Sequence, residues 1–388
     1  MNRNNEFPAV PGLCESKDSY QPRRPSCFDV NQIVVTKGVN SDSFLAMIEK
    51  IAALYPEAPL IMKTDCAHNQ SQAISDLNQD MLAVHKIGKR TLLFGVHQSS
   101  IRYSQEENNT CPNYWHFSLY GFCPYGCTYC YLAGTTSVRF SPAVKIFVNV
   151  NEILDKIHRK ALDFQKPESF YHGKLQDGLA LDPLTGYSRK AIPFFAREKF
   201  ARQVILTKSA DVQNLLDLEH GGHTAISWTL NLPEIQPTLE PNTPSIVSRI
   251  EAMKKCFSAG YPVRIVLMPL ILVENWQEKY ALFIRKLLGE IPVERLTIGG
   301  ICSFSTALFL MNRKLGVHNI IYDNLETSSA NADGRSRYAF LQHKQGYEYI
   351  IRSARSIQPD LDVGICLENE EMLCEMKPLG VGKCNCVW

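Results

Sequence analysis

Strand-like and helix-like segments alternate along this chain from about residue 114 to about residue 300. Alternation over roughly two hundred residues predicts a parallel α/β sheet. Such sheets place their chemistry at the carboxyl ends of their strands. The segments that read as strands are "YWHFSLYGF", "VKIFVNV", "ESFYHGK", "RQVILTK", "TAISWTLNL", "YPVRIVLMPLIL" and "VERLTIGGI", and those that read as helices are "NEILDKIHRKALDF", "PLTGYSRKAIPFFA", "ADVQNLLDLEHG", "PSIVSRIEAMKKCFSAG" and "NWQEKYALFIRKLLG".

The first 110 residues have a mixed pattern. A polar, proline-bearing start precedes a predicted helix in "SDSFLAMIEKIAALYP", a predicted strand in "RTLLFGVHQSS" and a polar loop in "SQEENNTCPN". Residues 1–30 lack an apolar signal-peptide core, and no run of about eighteen apolar residues occurs. We therefore expect a cytoplasmic protein with no membrane partner.

Charge and cysteine content narrow the function. Forty-one basic and 39 acidic residues leave a net charge of +2, which does not indicate a nucleic-acid-binding protein as a whole. The 13 cysteines are an odd number, and without a secretory signal they are expected to be reduced thiols. Three of them cluster near residue 125 and four near the C-terminus, Cys374 among the latter, and five scattered ones are interpreted as core filler or surface thiols: Cys14, Cys27, Cys66, Cys111 and Cys256.

The first cluster follows the first strand of the alternating series. Cys123, Cys127 and Cys130 stand in C-x3-C-x2-C spacing within "GFCPYGCTYCYL". Zinc sites use four ligands, usually as paired C-x2-C elements, and a [4Fe–4S] cluster is normally held by four cysteines. Three cysteines would leave one iron open to a substrate or cofactor. The spacing predicts such a cluster, with a partial zinc site or three core cysteines as the alternatives.

Neighbouring residues of this loop suggest how it is built. Gly126 is expected to let the chain turn tightly. Tyr125 and Tyr129 are expected to limit the access of water to the cluster.

A three-cysteine loop at the start of an α/β series resembles the radical S-adenosylmethionine (SAM) enzymes. In that family SAM chelates the open iron, and an electron from the cluster cleaves a carbon–sulfur bond to give a carbon radical. The resemblance implies an α/β fold with a partial (β/α)6 barrel and terminal extensions. We therefore predict an N-terminal extension that packs on the barrel over residues 1–110, the partial barrel over 111–310, and a C-terminal segment with a cysteine-rich tail over 311–388.

Within that superfamily the chain is similar to the spore photoproduct lyase branch over about residues 88–310. The motifs are "CTYCYL", "KIFVNVNEIL", "LTKSADVQNLL" and the long segment from "WTLNLPEIQP" to "ENWQEKY". The resemblance implies that Lys208 contacts the SAM carboxylate or ribose, that Thr229 replaces a SAM-binding serine with Asn231 beside it, and that Asp177 matches an aspartate of the lyase. The alternatives are a solvated Lys208, an ordinary strand residue at Thr229 and a turn cap at Asp177.

The second predicted barrel strand departs from the lyase pattern. Lys174 stands where the lyase has its hydrogen-donor cysteine, and an ammonium has no weak bond to give to a carbon radical. Gln176 stands where the lyase has a SAM-contacting serine. Repair of thymine dimers by the lyase route is therefore not expected.

The second cysteine cluster lies near the C-terminus. Cys366, Cys384 and Cys386 fall within a short region that ends in "GKCNCVW". They could ligate a second metal centre, present soft thiolates to a thiophilic substrate or hydrogen acceptor, or be structural thiols. Cys302, after the sixth predicted barrel strand, is a candidate hydrogen donor. The candidate catalytic residues are Tyr129, Tyr131, Cys302, Cys384 and Cys386.

We therefore predict a radical SAM enzyme with a [4Fe–4S] cluster and SAM, acting on a small molecule and reduced by an external donor such as flavodoxin or ferredoxin. One member of this class would transfer a 3-amino-3-carboxypropyl group to trivalent arsenic, as in arsinothricin biosynthesis. The alternative is modification of nucleic acid through a 5′-deoxyadenosyl radical. The basic stretches "GRSRYAFLQHK" and Arg189–Arg202 favour it if they are not merely solvated faces. A non-enzymatic protein that binds the cluster for structural reasons is a third functional class. The open coordination position on the fourth iron argues against it.

Overall fold

The computed structural model describes residues 20–70, 80–105, 109, 111–135, 138, 141–326 and 333–388. Its strands are β1 (Gln32–Thr36), β2 (Leu60–Lys63), β3 (Thr91–Gly95), β4 (Ile101–Ser104), β5 (Tyr114–Phe117), β6 (Tyr120–Gly121), β7 (Val144–Phe147), β8 (Glu168–His172), β9 (Ala201–Thr207), β10 (Thr224–Leu230), β11 (Val263–Leu267), β12 (Arg295–Ile298), β13 (Cys302–Ser303), β14 (Leu325–Glu326), β15 (Ser336–Tyr338) and β16 (Asp362–Ile365). Its α-helices are α1 (Asp42–Ala52), α2 (Met81–Gly88), α3 (Val150–Ala161), α4 (Asp182–Thr185), α5 (Ser188–Arg197), α6 (Gln236–Leu239), α7 (Ile246–Ser258), α8 (Trp276–Glu290), α9 (Ser305–Leu315), α10 (Phe340–Arg355) and α11 (Glu370–Met376).

The largest sheet among these residues has eight strands, in the order β16-β12-β11-β10-β9-β8-β5-β4. Strands β5, β8, β9, β10, β11, β12 and β16 are parallel neighbours, and β4 pairs antiparallel with β5. The sheet keeps two edges, β4 and β16, and so does not close. The predicted α/β fold with a partial barrel is confirmed, and β16 adds a seventh parallel strand that the sequence analysis did not identify.

A second sheet combines the N-terminal region with part of the predicted barrel segment. Its five strands have the order β2-β1-β3-β7-β6. Strand β7 corresponds to "VKIFVNV", which the alternation placed in the main series; it pairs instead with β3, opposite Leu92 and its neighbours. All four residues of β7 are buried, and periodicity alone does not reveal which sheet such an apolar strand joins. The boundaries at residues 110 and 310 stay a prediction.

Helix α7, between β10 and β11, begins and ends at residues with ordinary capping chemistry. The Ser245 hydroxyl accepts from the Ser248 amide at 3.1 Å and begins α7. Gly260, predicted to stop that helix, has φ +90° just after it. These short-range signals confirm that the α7 helix was correctly located from the sequence.

The segment "ADVQNLLDLEHG" was predicted as a helix, and this prediction is wrong. Residues 208–223 form turns and irregular chain. The Trp228 indole donates to the Ser209 carbonyl at 3.0 Å, and the Tyr261 hydroxyl donates to the Leu215 carbonyl at 2.8 Å. These two buried side chains occupy acceptors that a helix would need, so tertiary contacts override the apolar spacing.

The C-terminal tail lies against the first residues of the central strands. Arg264, at the start of β11, donates to the carbonyls of Asn385 and Val387 at 3.1 and 3.0 Å. Arg295, at the start of β12, donates to the carbonyls of Cys384 and Val387 at 3.0 and 2.7 Å. Both arginines are buried. They also meet carboxylates, and these charge-assisted hydrogen bonds fix the tail in the sheet interior.

In the part of the chain that the structure describes, no helix is long and apolar enough to cross a membrane.

Candidate active site

A cavity of about 400 Å³ opens at the carboxyl ends of the large sheet. Residues that directly follow strands line it: Gly173 after β8, Lys208 after β9 and Met268 after β11. The cavity therefore lies where a parallel α/β sheet is expected to carry its chemistry. The predicted site residues in its wall are Cys123, Cys127, Tyr129, Cys130, Tyr131, Gln176, Asp177, Lys208, Thr229, Cys302 and Cys386.

Asn231 and Cys384 are predicted site residues that do not line this cavity. The Asn231 amide donates to the Pro269 carbonyl at 3.0 Å and accepts from the Tyr280 hydroxyl at 2.8 Å. Asn231 thus joins the end of β10 to the chain after β11. Cys384 is buried behind two cysteines that do reach the cavity.

The cysteine loop is held by backbone contacts from outside it. Gly126 donates its amide to the Pro241 carbonyl at 3.1 Å, and Thr128 donates to the Leu239 carbonyl at 2.9 Å. A Cβ on Gly126 would stand 2.8 Å from the Pro241 carbonyl oxygen. Glycine is needed there for the close approach of the Pro241 carbonyl, and not for a positive φ.

The three loop thiols are chemically suited to an iron–sulfur cluster, which takes one cysteine at each iron. Among the described residues, no group of three or more His, Cys, Asp or Glu side chains is placed to hold one metal ion. A zinc ion needs its sulfur ligands about 2.3 Å from one centre, whereas a cluster takes one cysteine at each iron. Cys123, Cys127 and Cys130 line one wall of the cavity, so a cluster held there would face its interior.

Burial keeps two of these thiols protonated in the metal-free chain. It raises the pKa of Cys123 to about 12 and that of Cys127 to about 11, although Lys89 and Lys208 oppose the respective shifts. Metal ligation requires thiolates, so loading of this loop releases protons.

Tyr129 connects the loop to a buried ion pair. Its hydroxyl donates to Glu240, and Arg249 Nη2 lies 2.6 Å from Glu240 Oε2. The contact is an ion pair between two fully buried side chains. Burial opposes ionisation of Glu240, but Lys208 and Arg249 outweigh it, and its pKa lies below the usual range.

Asp177 and Lys208 are joined across neighbouring strand ends. Asp177 Oδ2 accepts from the Lys208 amide at 2.6 Å, and Oδ1 accepts from the Thr207 hydroxyl at 2.7 Å. Oδ1 also accepts from the amides of Leu179 and Ala180, so Asp177 caps a turn as the alternative held. The Lys208 ammonium lies 5.9 Å from the centre of the Tyr129 ring on the cavity wall. This leaves a cation positioned to meet an anionic ligand.

The residues after β8 have polar partners of their own. The Lys174 ammonium donates to the Ser104 hydroxyl and lies 5.3 Å from the Tyr114 ring centre, and the Lys174 carbonyl accepts from the Tyr131 hydroxyl at 3.0 Å. The buried Gln176 amide lies 3.2 Å from His172 Nδ1. Lys174 therefore fixes this side of the cavity and supplies no thiol.

The C-terminal cysteines reach the same cavity, together with Cys111. Cys111, Cys366 and Cys386 line it, and Cys384 lies in contact with Cys366 and Cys386. Hydrogen bonding from those two thiols places the pKa of Cys384 below its usual range. The sequence analysis assigned Cys111 to filler because it has no nearby cysteine in sequence; the fold brings it to Cys366. Cys14 lies outside the described residues.

The basic stretch "GRSRYAFLQHK" is mostly interior. Arg337, Tyr338 and His343 are buried, and Arg337 pairs with Asp333 at 2.6 Å. Arg335 is the member of this stretch that lines the cavity, with its guanidinium 4.9 Å from the Phe304 ring centre. A continuous cationic and aromatic surface is therefore not formed by these residues.

Comparison with known sequences gives one family. The sequence profile described as spore photoproduct lyase matches residues 44–301, roughly two thirds of the chain. The spore photoproduct lyase of Clostridium acetobutylicum is 30% identical over 203 residues, which are 51% of this chain and 58% of that protein. The lyase of Bacillus subtilis is 29% identical over 228 residues, 58% of this chain and 64% of that protein. The match spans less than two thirds of each of these relatives.

Solved structures show the same fold. A spore photoproduct lyase complexed with dinucleoside spore photoproduct superposes with a TM-score of 0.74 at 20% identity, covering 87% of this chain and 99% of the other. A doubly substituted mutant lyase with bound AdoMet and dinucleoside spore photoproduct gives a TM-score of 0.74 at 21% identity, covering 87% of this chain and 98% of the other.

Proposed function

We propose that this chain, which belongs to the spore photoproduct lyase family of radical SAM enzymes that use a [4Fe–4S] cluster and SAM, acts on a small molecule. Cys123, Cys127 and Cys130 would hold the cluster. Bound there, the cluster and SAM supply reductive cleavage of a carbon–sulfur bond. The meeting of this cysteine loop with four further cysteines in one cavity is the observation that carries the proposal.

The chain's own residues bind and orient the ligands in this proposal. Lys208 would meet the SAM carboxylate or ribose, since its ammonium lies on the cavity wall and Asp177 fixes its backbone. Thr229 lies on the same wall. Tyr129, held by Glu240, would exclude water from the cluster side.

The proposed substrate class follows from the soft sulfur ligands that line the rest of the cavity. Cys111, Cys302, Cys366 and Cys386 supply sulfur atoms that favour a thiophilic acceptor. A narrower form of the proposal is transfer of a 3-amino-3-carboxypropyl group to such an acceptor, trivalent arsenic being one example. The external electron donor and the cytoplasmic location stay predictions from the sequence.

Product analysis tests this function. Protein reconstituted anaerobically, reduced with dithionite and given SAM should cleave it, and the fragments identify the bond. 5′-Deoxyadenosine indicates hydrogen abstraction, whereas methylthioadenosine indicates aminocarboxypropyl chemistry. Cys127→Ala should remove the brown absorbance and all SAM cleavage. Cys384→Ala with Cys386→Ala should keep the cluster, and loss of iron from that variant would contradict the ligand assignment.

Nucleic-acid modification is the second candidate, because the related lyase structures contain a dinucleoside photoproduct and Arg335 lines the cavity here. It requires binding of DNA or RNA whose affinity falls steeply with salt. Single-stranded oligonucleotide titrations at low and moderate salt distinguish it from the small-molecule proposal. Absence of binding at low salt rejects it.

A further inference from the structure

A second cavity, of about 1210 Å³, lies on the other side of the cysteine loop. Pro124, Gly126 and Thr128 of the loop line it, whereas Cys123, Cys127 and Cys130 line the first cavity. The loop thus separates the two cavities. The rest of the wall comes from the chain before β1, the end of α2, the turn after α6 and the end of α9.

The wall of this second cavity is strongly cationic. Five described residues there carry a positive charge: Arg24, Lys86, Lys89, Arg90 and Lys314. Asp29 is the one acidic residue among the described residues of the wall. Since the whole chain carries only +2, this concentration of charge is local. A concave cationic surface steers and holds an acidic partner.

Two of the cations bind the loop itself or approach its thiols. Lys89 donates to the carbonyls of Cys123 and Tyr125, the latter at 2.6 Å, and its ammonium lies 4.0 Å from the Phe122 ring centre. Lys314, at the end of α9, approaches Cys127 and Cys130. The floor of the cavity is therefore formed by the cluster loop, with the Lys89 ammonium bound to its backbone.

Other cations stand at the rim and are open to solvent. Lys86 and Arg90 are exposed and lie at and just after the end of α2. Buried His85 lies between them and the loop, with an edge-on contact to Phe122 at 5.2 Å and an Nε2 atom that has no partner. The wall thus combines exposed positive charge at its rim with a buried histidine beside the cluster loop.

We propose that this cavity is the docking site of an acidic one-electron donor protein of the flavodoxin type. The inference rests on the proposed function, which requires an electron at the cluster from outside the substrate cavity. Electron transfer falls steeply with distance, and the back of the cysteine loop forms the floor of this site. A donor protein with an acidic surface around its redox group would match the cationic rim at Lys86 and Arg90.

Binding of flavodoxin to the full-length, cluster-loaded protein tests the proposal. The variant Lys86→Glu with Arg90→Glu changes the charge by −4 at the rim and touches no residue of the SAM site. We expect its affinity for flavodoxin, measured by calorimetry at low ionic strength, to fall at least about tenfold, with a weaker salt dependence. The matched control is Arg285→Glu with Lys286→Glu, an equal charge change at exposed positions of α8 outside the cavity wall.

The outcomes separate this inference from the proposed function. Dithionite-driven SAM cleavage should be equal in the rim variant and wild type, while oxidation of reduced flavodoxin should slow only in the rim variant. Equal flavodoxin affinity in the rim variant and the control overturns the docking site. A rim variant that loses oligonucleotide binding but keeps flavodoxin binding also overturns it. No dithionite-driven cleavage by wild type would instead refute the proposed function, and the binding measurement would still stand.

Discussion

Removing either partner of the buried Glu240–Arg249 pair, which connects the cysteine loop to β10 and α7, should cost several kcal/mol of stability. Both side chains are 0% exposed, so solvent does not screen them. Arg249 also donates to the carbonyls of Pro244 and Thr229 at 3.0 Å and to the Thr243 hydroxyl at 2.6 Å. Removing one member leaves an uncompensated buried charge.

The two single substitutions should differ in size. Glu240→Gln keeps an acceptor for Tyr129 but leaves the Arg249 charge unpaired, and it should lower the free energy of unfolding by about 3 kcal/mol. Arg249→Met leaves the carboxylate without this partner and removes the donors of three acceptors. It should cost about 5 kcal/mol. The double variant removes both charges and should cost clearly less than the sum.

Urea unfolding of the metal-free protein, followed by circular dichroism, measures these values. The control is Asp217→Asn, which breaks an ion pair with Arg189 whose side chains are 64% and 30% exposed. It should cost less than about 1 kcal/mol. The reasoning is refuted if Glu240→Gln costs no more than this control, or if the two buried substitutions prove additive.

Three further predictions concern the tail, the loop and pH. Gly364→Val should displace the C-terminal tail, because a Cβ at this position would overlap the Lys383 backbone carbonyl. The variant should therefore show more rapidly modified thiols than wild type. The control Gly289→Ala, whose Cβ would have no atom within 4 Å, should leave thiol modification unchanged. Gly126→Ala should reduce iron incorporation measured after reconstitution, since its Cβ would meet the Pro241 carbonyl. Burial raises the pKa of Glu368 from 4.5 to about 7, so the native state binds a proton that the unfolded state releases, and stability falls as pH rises from about 4.5 to 7. Glu368→Gln should reduce this fall in the free energy of unfolding by about 3 kcal/mol, as measured by urea unfolding at about pH 5 and about pH 8. If the difference in stability between the variant and wild type is the same at both pH values, the prediction is contradicted.

Local sequence signals were enough to predict six of the seven parallel strands of the main sheet and the cysteine loop. The parallel strands from β8 to β12 each follow a helix or a turn-rich crossover, and the alternation found them. The cysteine spacing located the wall of the cavity without any knowledge of distant contacts. Both features depend on residues close together in sequence.

The predictions from sequence were wrong where contacts between residues far apart in the chain determine the local structure. The segment after β9 has helical spacing, yet side chains from β10 and from the chain before β11 take its carbonyls. Cys111 has no cysteine neighbour in sequence, and only the fold brings it beside Cys366. The second, cationic cavity is assembled from five separate segments, so no single stretch of the sequence shows its charge.

The position of β16 explains how cysteine thiols reach the cavity. The second barrel strand, β8, is followed by Lys174 and supplies no thiol there. β16 pairs with β12, and Gly364 within it leaves room for the Lys383 carbonyl, so the tail passes into the sheet interior. This places Cys386 beside Tyr114, while the ammonium of Lys174 lies over the same tyrosine ring. Tyr114 therefore stands between the lysine and the tail thiol. The sulfur of the tail and the Lys174 ammonium thus reach the cavity on the same side, at one tyrosine ring.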